Sequence, residues 1–232
     1  MIKPIAYIRS PFPTKFGIPR QPGLVPDLRA EIIFEPEYRI PEAFRELDGY
    51  SHIWLIWEFH EAVRDKWSPT VRPPRLGGNK RIGVFATRSP FRPNPIGISV
   101  VELEKIEFDV TNGPIIHVKG ADLVDNTPIY DIKPYLPHID SIPYAKAGFS
   151  EKAAMHNLNV IIPNEILDRI PQAQKNQIET LKAILAQDPR PGYQRSSERE
   201  YGFLYAGMEI KFIVNDDDVL TVTELTADPD NS

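Results

Sequence analysis

The residues best suited to chemistry lie in one stretch, Arg72 to Ser99, which reads R-P-P-R-L-G-G-N-K-R-I-G-V-F-A-T-R-S-P-F-R-P-N-P-I-G-I-S. It contains six basic residues, no acidic residue, five prolines and a Gly77-Gly78 pair. Prolines restrict the unfolded loop, and glycines let a ligand approach the backbone closely. Arg88 and Arg92 follow a short apolar strand candidate, Ile82 to Thr87. The stretch favours a site for an anion or a polar ligand, although an ordered loop with solvated arginines would have the same composition.

The charge distribution favours a local contact with a polyanion. The chain has 232 residues and a formal net charge of −5, which alone argues against nucleic acid. Between residues 64 and 92, however, there are eight basic residues and one acidic residue. Because charges are screened over short distances at physiological salt, such a segment can still bind an RNA backbone. The candidates are Arg72, Arg75, Lys80, Arg81 and Arg92, with Arg195 and Arg199 as further contributors.

Motifs of several common enzyme classes are absent from the sequence. It has no G-x-G-x-x-G, no G-x-x-x-x-G-K-[ST], no H-E-x-x-H and no G-x-S-x-G. There is no cysteine, and the five histidines lack metal-ligand spacing, so we expect no metal site. Neither a signal peptide nor an apolar run of ~20 residues is present, which predicts a cytoplasmic protein.

The elements that would position these residues are mainly short strands. Proline accounts for 24 residues, which disfavours a helical bundle and favours strands joined by fixed loops. Alternation and turn signals predict strands at Ile2–Ile8, Ala30–Glu35, His52–His60, Ile82–Thr87 and Ile129–Ile132, and a hairpin of Ile98–Val110 with Pro114–Lys119. In the third of these strands the odd-numbered positions are all apolar and should face the core. A short helix is predicted over Pro41–Leu47.

The pattern changes after about residue 140. Helices are predicted at Asn164–Arg169 and Gln172–Ala186, followed by a hairpin of Phe203–Val214 and Val219–Leu225. The sequence therefore predicts a mainly β domain over residues 1–140 and a small helix plus β-hairpin domain over residues 141–232.

The same residues resemble the TsaA-like (YaeB/TrmO) family. The motifs that carry the resemblance are R-Q-P-G at 20–23, F-H at 59–60, R-P-P-R-L-G-G at 72–78, G-V-F-A-T-R-S at 83–89, F-R-P-N-P-I-G at 91–97 and D-N-T-P-I-Y-D-I-K-P-Y-L-P at 125–137. Near the C-terminus, R-P-G-Y and V-L-T-V-T-E-L resemble the tail of the longer bacterial members. The resemblance implies a small β-barrel with a smaller α+β domain, working as a homodimer. It also implies transfer of a methyl group from S-adenosylmethionine to N6 of threonylcarbamoyladenosine at position 37 of tRNA.

The resemblance further implies which residues bind S-adenosylmethionine. They are Arg20, Gln21, Pro22, Gly23, Phe59, His60, Arg88, Ile98, Asp125, Asn126, Thr127 and Pro128. Arg88 is the candidate for the carboxylate of the cofactor, and Phe59 or Asp125 for its sulfonium. Asn126 stands where we expect glycine in the family, but asparagine also tolerates left-handed backbone, so the turn should survive.

The sequence does not decide which group removes the proton from the acceptor nitrogen. The acceptor nitrogen is conjugated to a carbonyl and must lose its proton, and His60, Asp125, Tyr130, Asp131 or the carboxylate of the substrate could accept it. Two other functions also remain: a nucleotide- or RNA-binding β-barrel without transfer activity, and a methyltransferase acting on another small acceptor.

Overall fold

The strands of the N-terminal half close into a barrel. The computed structural model describes residues 2–62, 66–73, 80–108, 110–152, 157–190 and 199–227. Its first eight strands are β1 Ala6–Arg9, β2 Arg29–Phe34, β3 His52–Glu58, β4 Thr70–Val71, β5 Ile82–Gly83, β6 Ile96–Glu107, β7 Ile115–Lys119 and β8 Pro128–Pro134. Six of them pair antiparallel in the closed order β1-β2-β7-β6-β3-β8, which confirms the expected small β-barrel, and β4 and β5 form a separate ribbon.

Alternation along the strands fills the barrel. In β3 the odd-numbered residues Ile53, Leu55 and Trp57 are 0%, 0% and 6% exposed, as their apolar pattern predicted. Their even-numbered neighbours are only partly buried. Burying an isoleucine or leucine side chain contributes about 1.5–3 kcal/mol, so the inward row of β3 is a main source of barrel stability.

The C-terminal part forms a second, four-stranded sheet. Its strands are β9 Asn159–Ile161, β10 Tyr201–Tyr205, β11 Met208–Val214 and β12 Val219–Ala227, in the order β10-β11-β12-β9. The helices are α1 Pro137–Asp140, α2 Asn164–Leu167 and α3 Ile178–Ala186. The apolar stripe of α3 is buried in the core of this sheet, as its spacing predicted. No helix in the described ranges is long and apolar enough to cross a membrane.

The predicted C-terminal hairpin was wrong in detail. The segment 203–214 is not one strand, because Ala206 and Gly207 have φ angles of 50° and 69° and turn the chain between β10 and β11. The three-residue strand β9 was also missed, and it adds a parallel edge to β12. The sheet consequently has four strands where two were expected, while the division at residue 140 stays a prediction.

Two other predicted elements are shorter than expected. The helix over Pro41–Leu47 is replaced by two 3₁₀ helices, Pro41–Phe44 and Leu47–Gly49, because Glu46 between them has a left-handed φ of 66°. The strand Ile82–Thr87 was wrong beyond its first two residues. After β5 the chain turns into a 3₁₀ helix at Val84–Ala86, closed by a hydrogen bond from Thr87 N to Val84 O of 3.1 Å.

The long loop between β1 and β2 packs on the C-terminal sheet. Phe12, in this loop, is fully buried, and its ring lies 5.2 Å from that of Tyr205 in β10. Gly17 lies so close to Phe203 that a Cβ there would be 2.4 Å from its ring. The loop that carries residues 20–23 is therefore held by the second sheet as well as by the barrel.

Candidate cofactor site and nucleic-acid surface

One end of the barrel collects the segments that carry the predicted cofactor residues. Because the barrel strands are antiparallel, the ends of β1, β3 and β7 lie beside the starts of β2, β6 and β8. The connections at this end contain Arg20 to Gly23, Phe59 and His60, Arg88 and Arg92, and Asp125 to Thr127. Ile98 and Pro128 lie near this end within β6 and β8. Residues that are far apart in sequence are thus brought together, while their cofactor role stays a prediction.

Hydrogen bonds tie the R-Q-P-G turn to its neighbours at this end. Gly23 N donates to Gly120 O at 2.9 Å, and Arg88 Nη1 donates to Gln21 Oε1 at 2.6 Å. Gly120 has a φ of +76°, and a Cβ there would lie 3.3 Å from the backbone of Gly23. Glycine at 120 therefore permits the close approach of the two loops.

Arg20 points in a different direction from the other residues of its turn. Its Nη2 lies 3.2 Å from Asp188 O and 3.1 Å from Arg190 O, in the segment that follows α3. The side chains of Asp188 and Arg190 form a buried ion pair at 2.7 Å, which raises the pKa of the Arg190 guanidinium. Arg20 thereby anchors the turn to the C-terminal part.

The turn before β8 has the geometry that the sequence predicted. Asn126 has a φ of 59°, in the left-handed region, as expected for an asparagine in place of glycine. Asp125 accepts hydrogen bonds from Ser10 N at 2.9 Å and from Asn126 Nδ2 at 2.8 Å. Thr127 is buried, and its hydroxyl donates to a backbone carbonyl of the same turn. This network fixes the turn that leads into Pro128.

A buried chain of hydrogen bonds, which the sequence analysis missed, lies at the same end. Trp57 Nε1 donates to Ser99 Oγ at 3.0 Å, and Ser99 Oγ donates to Asp122 Oδ1 at 2.7 Å. Gly97 lies against the Trp57 ring, where a Cβ would be 2.4 Å away. The available signal was a polar residue, Ser99, at an inward position between the apolar residues Ile98 and Val100 of β6.

Asp122 has an unusual electrostatic environment. Burial raises the pKa of its carboxyl to about 6, against the lowering effects of the Ser99 hydroxyl and the nearby charge of Arg88. As a whole residue, Asp122 is partly exposed to solvent. A titratable group of this kind beside a cationic side chain is typical of functional sites.

The four candidate bases differ in the hydrogen bonds and ion pairs that their side chains form. Tyr130 Oη donates to Glu58 Oε2 at 2.5 Å, and this bond raises the pKa of Tyr130 to about 12, which makes it a poor base near neutral pH. Asp131 is paired with Lys133 at 2.9 Å, and both oxygens of Asp125 accept hydrogen bonds as described above. His60 begins a 3₁₀ helix and has no hydrogen bond from its ring to the described residues.

The predicted nucleic-acid residues lie mostly on the surface of the β4–β5 ribbon and the segment after it. Arg72, Lys80 and Arg81 are exposed, and Arg81 Nε donates to Thr70 Oγ1 at 2.7 Å. Arg92 is partly buried and donates to Thr87 O at 3.2 Å. Arg75 and Arg195 lie outside the described residues, and Arg199 lies over the ring of Tyr201 at 5.3 Å.

Within the described ranges, no group of three or more histidine, aspartate or glutamate side chains is arranged to hold a metal ion.

Comparison with protein families matches both halves of the chain. The model of the tRNA-methyltransferase O N-terminal domain matches residues 7–141, and the model of the TrmO C-terminal domain matches residues 155–228. The tRNA (adenine(37)-N6)-methyltransferase of Escherichia coli K12 is 44% identical over 197 residues, which cover 84% of this chain and 83% of that protein.

Two further similarities extend over nearly the whole chain. A Pseudomonas aeruginosa protein, named RcsF and described as an S-adenosylmethionine-dependent methyltransferase, is 38% identical over 97% of this chain and 96% of its own length. A crystal structure of TrmO from Pseudomonas aeruginosa superposes with a TM-score of 0.79 at 32% identity and covers 98% of both chains.

Proposed function

Because this chain belongs to the tRNA-methyltransferase O family, we propose that it transfers a methyl group from S-adenosylmethionine to N6 of adenine 37 in tRNA. The acceptor is the threonylcarbamoyl form of that adenosine. The observation that carries the proposal is the meeting of all predicted cofactor segments at one end of the barrel. The names of the relatives from Escherichia coli and Pseudomonas aeruginosa support the reaction and the methyl donor.

The side chains at this barrel end fit the chemical groups of the methyl donor. The Arg88 guanidinium is exposed and suits a carboxylate, with Gln21 holding its position. Phe59 is partly buried against Trp57, with the ring centroids 4.3 Å apart, and offers an aromatic face to a sulfonium. Asp122 adds a carboxylate that accepts a hydrogen bond from Ser99 and feels the charge of Arg88. These residues would bind and orient the donor.

When bound, S-adenosylmethionine supplies an electrophilic methyl group. Arg88 and Phe59 would hold this donor beside the acceptor nitrogen, which would give up its proton to a base on methylation. Most of the acceleration therefore comes from orientation, which the fixed loops provide. We propose that His60 accepts this proton. The side chains of Asp125 and Asp131 already form hydrogen bonds or an ion pair, and the pKa of Tyr130 is too high for a base. Replacing His60 by asparagine should lower kcat about 100-fold.

A homodimer completes the proposal. Ile96 and Ile98 lie on the outer face of β6 beside the candidate cofactor site, and 41% and 50% of their surfaces are exposed. Burying them against a second copy would remove this apolar surface and add a wall to the site. Light scattering should give twice the chain mass, and replacing Ile98 by aspartate should reduce it. A cytoplasmic location follows from the proposed tRNA substrate.

We further propose that residues 1–140 form the catalytic domain and residues 141–232 an accessory domain. Support comes from the two separate hydrophobic cores, one inside the barrel and one between the second sheet and α3. The β1–β2 loop belongs to the core of the accessory domain, so the two domains should unfold together. A single urea transition seen by both tryptophan fluorescence and circular dichroism would support this coupling.

The decisive experiment is mass spectrometry of tRNA nucleosides before and after incubation with the protein and S-adenosylmethionine. A mass increase of one methyl group on threonylcarbamoyladenosine, and none on unmodified tRNA, is the expected result. A melting shift with the cofactor but no methylated nucleoside would favour a binding protein instead. Turnover that is insensitive to salt would favour a small acceptor.

The cofactor assignment is tested by comparing Arg88→Ala with Arg81→Ala. Both variants remove one exposed arginine from the same segment, but only Arg88 contacts Gln21 of the R-Q-P-G turn. We expect Arg88→Ala to weaken cofactor binding about 30-fold or more and Arg81→Ala to leave it unchanged, measured by calorimetry. Equal affinities for the two variants would refute the assignment.

A further inference from the structure

Two large aromatic side chains are exposed together on the β4–β5 ribbon. Trp67 and Phe85 are 49% and 72% exposed, and their ring centroids lie 6.1 Å apart at an interplanar angle of 30°. The ribbon fixes this arrangement, because Val84 N donates to Pro69 O at 3.0 Å and so brings the two flanking segments side by side. Exposed aromatic faces held by backbone hydrogen bonds are more typical of a binding surface than of a core.

The surroundings of this pair are strongly cationic. The described residues 66–73 and 80–92 contain no aspartate or glutamate. Their basic residues are Lys66, Arg72, Lys80, Arg81, Arg88 and Arg92, and none of these forms a salt bridge with the described part of the chain. A surface that combines aromatic side chains with cations that form no salt bridge in the described part of the chain is complementary to single-stranded nucleic acid.

A small cleft lies beside Trp67 on this surface. It has a volume of about 80 Å³, and its walls include Lys66, Trp67, Arg92 and Pro95. The carbonyl of Pro95 accepts a hydrogen bond from Phe59 N at 2.8 Å, so the cleft borders the segment that carries the predicted cofactor residue. A nucleotide stacked on Trp67 would therefore lie near the segment that carries Phe59.

We propose that Trp67 and Phe85 form a stacking platform for an unpaired nucleotide of the tRNA anticodon loop that neighbours the methylated adenosine. Lys66 and Arg92 contact the phosphates on either side of this nucleotide. The inference rests on the proposed tRNA substrate and adds a site for a second base. Such a platform would hold the loop open, because a base must leave its stack before it can be methylated.

The alternative occupant of the surface is a second copy of this chain. A symmetric contact through Trp67 and Phe85 would place the same cations of both copies against each other, with no carboxylate from these segments to compensate them. The charge therefore favours RNA over a subunit contact.

The first test compares Trp67→Ala and Phe85→Ala with Phe108→Ala. Phe108 is 47% exposed, much as Trp67 is, but it follows β6 at the opposite end of the barrel. We expect each platform variant to raise the Kd for a modified anticodon stem-loop and the KM for tRNA roughly 5- to 150-fold. The Kd for S-adenosylmethionine should not change, and Trp67→Phe should restore most of the RNA affinity. The control Phe108→Ala should bind RNA normally.

The second test separates stacking from phosphate contact. Trp67→Ala should leave the salt dependence of binding unchanged, whereas Arg92→Ala should lower its log–log slope by about 0.7 to 0.9. Stem-loops with one abasic site at each loop position should locate the stacked nucleotide. At that position the abasic change should weaken RNA binding by the wild type, but it should not weaken RNA binding by Trp67→Ala any further.

The outcomes are distinguishable from failure of the proposed function. If the wild type does not methylate tRNA, the proposed substrate is wrong. If it does, but the platform variants bind RNA as the wild type does or all abasic effects are additive, the platform is refuted. If the platform variants lose the dimer mass but keep the RNA affinity of the wild type, the platform is also refuted, and Trp67 and Phe85 form a subunit contact instead.

Discussion

Replacing Asp122 by asparagine should change how the stability of the protein depends on pH. The asparagine keeps an acceptor for the Ser99 hydroxyl but removes the titrating charge. In the folded protein the pKa of Asp122 is raised from 3.8 to about 6, so the folded state binds a proton more tightly than the unfolded state. The contribution of Asp122 to stability therefore falls as the pH rises from about 4 to about 6, and this contribution is level above that range.

The size of the effect follows from the size of the shift. A difference of about two pKa units corresponds to about 3 kcal/mol, which is an upper bound because the carboxyl retains partial solvent access. The free energy of unfolding of Asp122→Asn relative to wild type should therefore increase by up to about 3 kcal/mol between pH 4 and pH 7. If the amide also changes stability through its hydrogen bonds or packing, that change does not depend on pH and moves the whole difference curve up or down.

Urea unfolding at several pH values between 4 and 8 measures this difference directly. The contributions of all other titrating groups are common to both proteins and cancel in the comparison. Parallel stability curves for the two proteins would show that Asp122 titrates normally and would remove the electrostatic argument for its place in the site. Ser99→Ala is a useful companion, since losing the hydroxyl should raise the pKa of Asp122 further and steepen the wild-type trend.

Three further changes test the packing around the site. Arg190→Ala removes the guanidinium that pairs with the buried carboxylate of Asp188 at 2.7 Å, and it should lower the free energy of unfolding in urea by about 1–3 kcal/mol; an unchanged urea midpoint would contradict this. Gly97→Ala places a Cβ against the ring of Trp57 and should lower stability by about 1–3 kcal/mol with a change in tryptophan fluorescence; an unchanged melting temperature would mean that β6 can shift away. Phe12→Ala should cost about 3–5 kcal/mol and also weaken cofactor binding in calorimetry, because its loop carries the R-Q-P-G turn; normal affinity in the folded variant would contradict that link.

The barrel strands were predictable because each obeys a local rule. In β3 the alternation of apolar residues directly reflects the two faces of the strand, and Asn112-Gly113 marks the connection between β6 and β7. The strand limits were correct within a few residues, apart from β5. There the apolar run Ile82 to Thr87 continues past the ribbon, and only two residues find a partner strand. The tertiary context decided the outcome, since periodicity alone cannot show where pairing ends.

The site was only partly predictable for a related reason. Family motifs identified the turns at 20–23 and 125–128, and the closed barrel brings these turns to one end. Asp122 and Ser99 carry no motif, and their hydrogen bond joins residues that are 23 positions apart. Such a contact depends on how the sheet closes, which local patterns do not specify. The same applies to Arg20, whose backbone acceptors come from the second sheet region.

The attachment of the β1–β2 loop to the second sheet has a consequence for interpreting variants. Phe12 and Gly17 pack against the rings of Tyr205 and Phe203, and the loop that contains them also carries the R-Q-P-G turn at 20–23. If this turn binds the methyl donor as proposed, a substitution in β10 would lower the affinity for the donor although β10 belongs to the other sheet. An activity screen alone would then wrongly classify the substituted residue as catalytic. Deleting the C-terminal portion to obtain a minimal enzyme would likewise strip the loop of its support and expose Phe12 to water. Any shortened version of this protein needs a replacement surface for that loop before its catalysis can be judged.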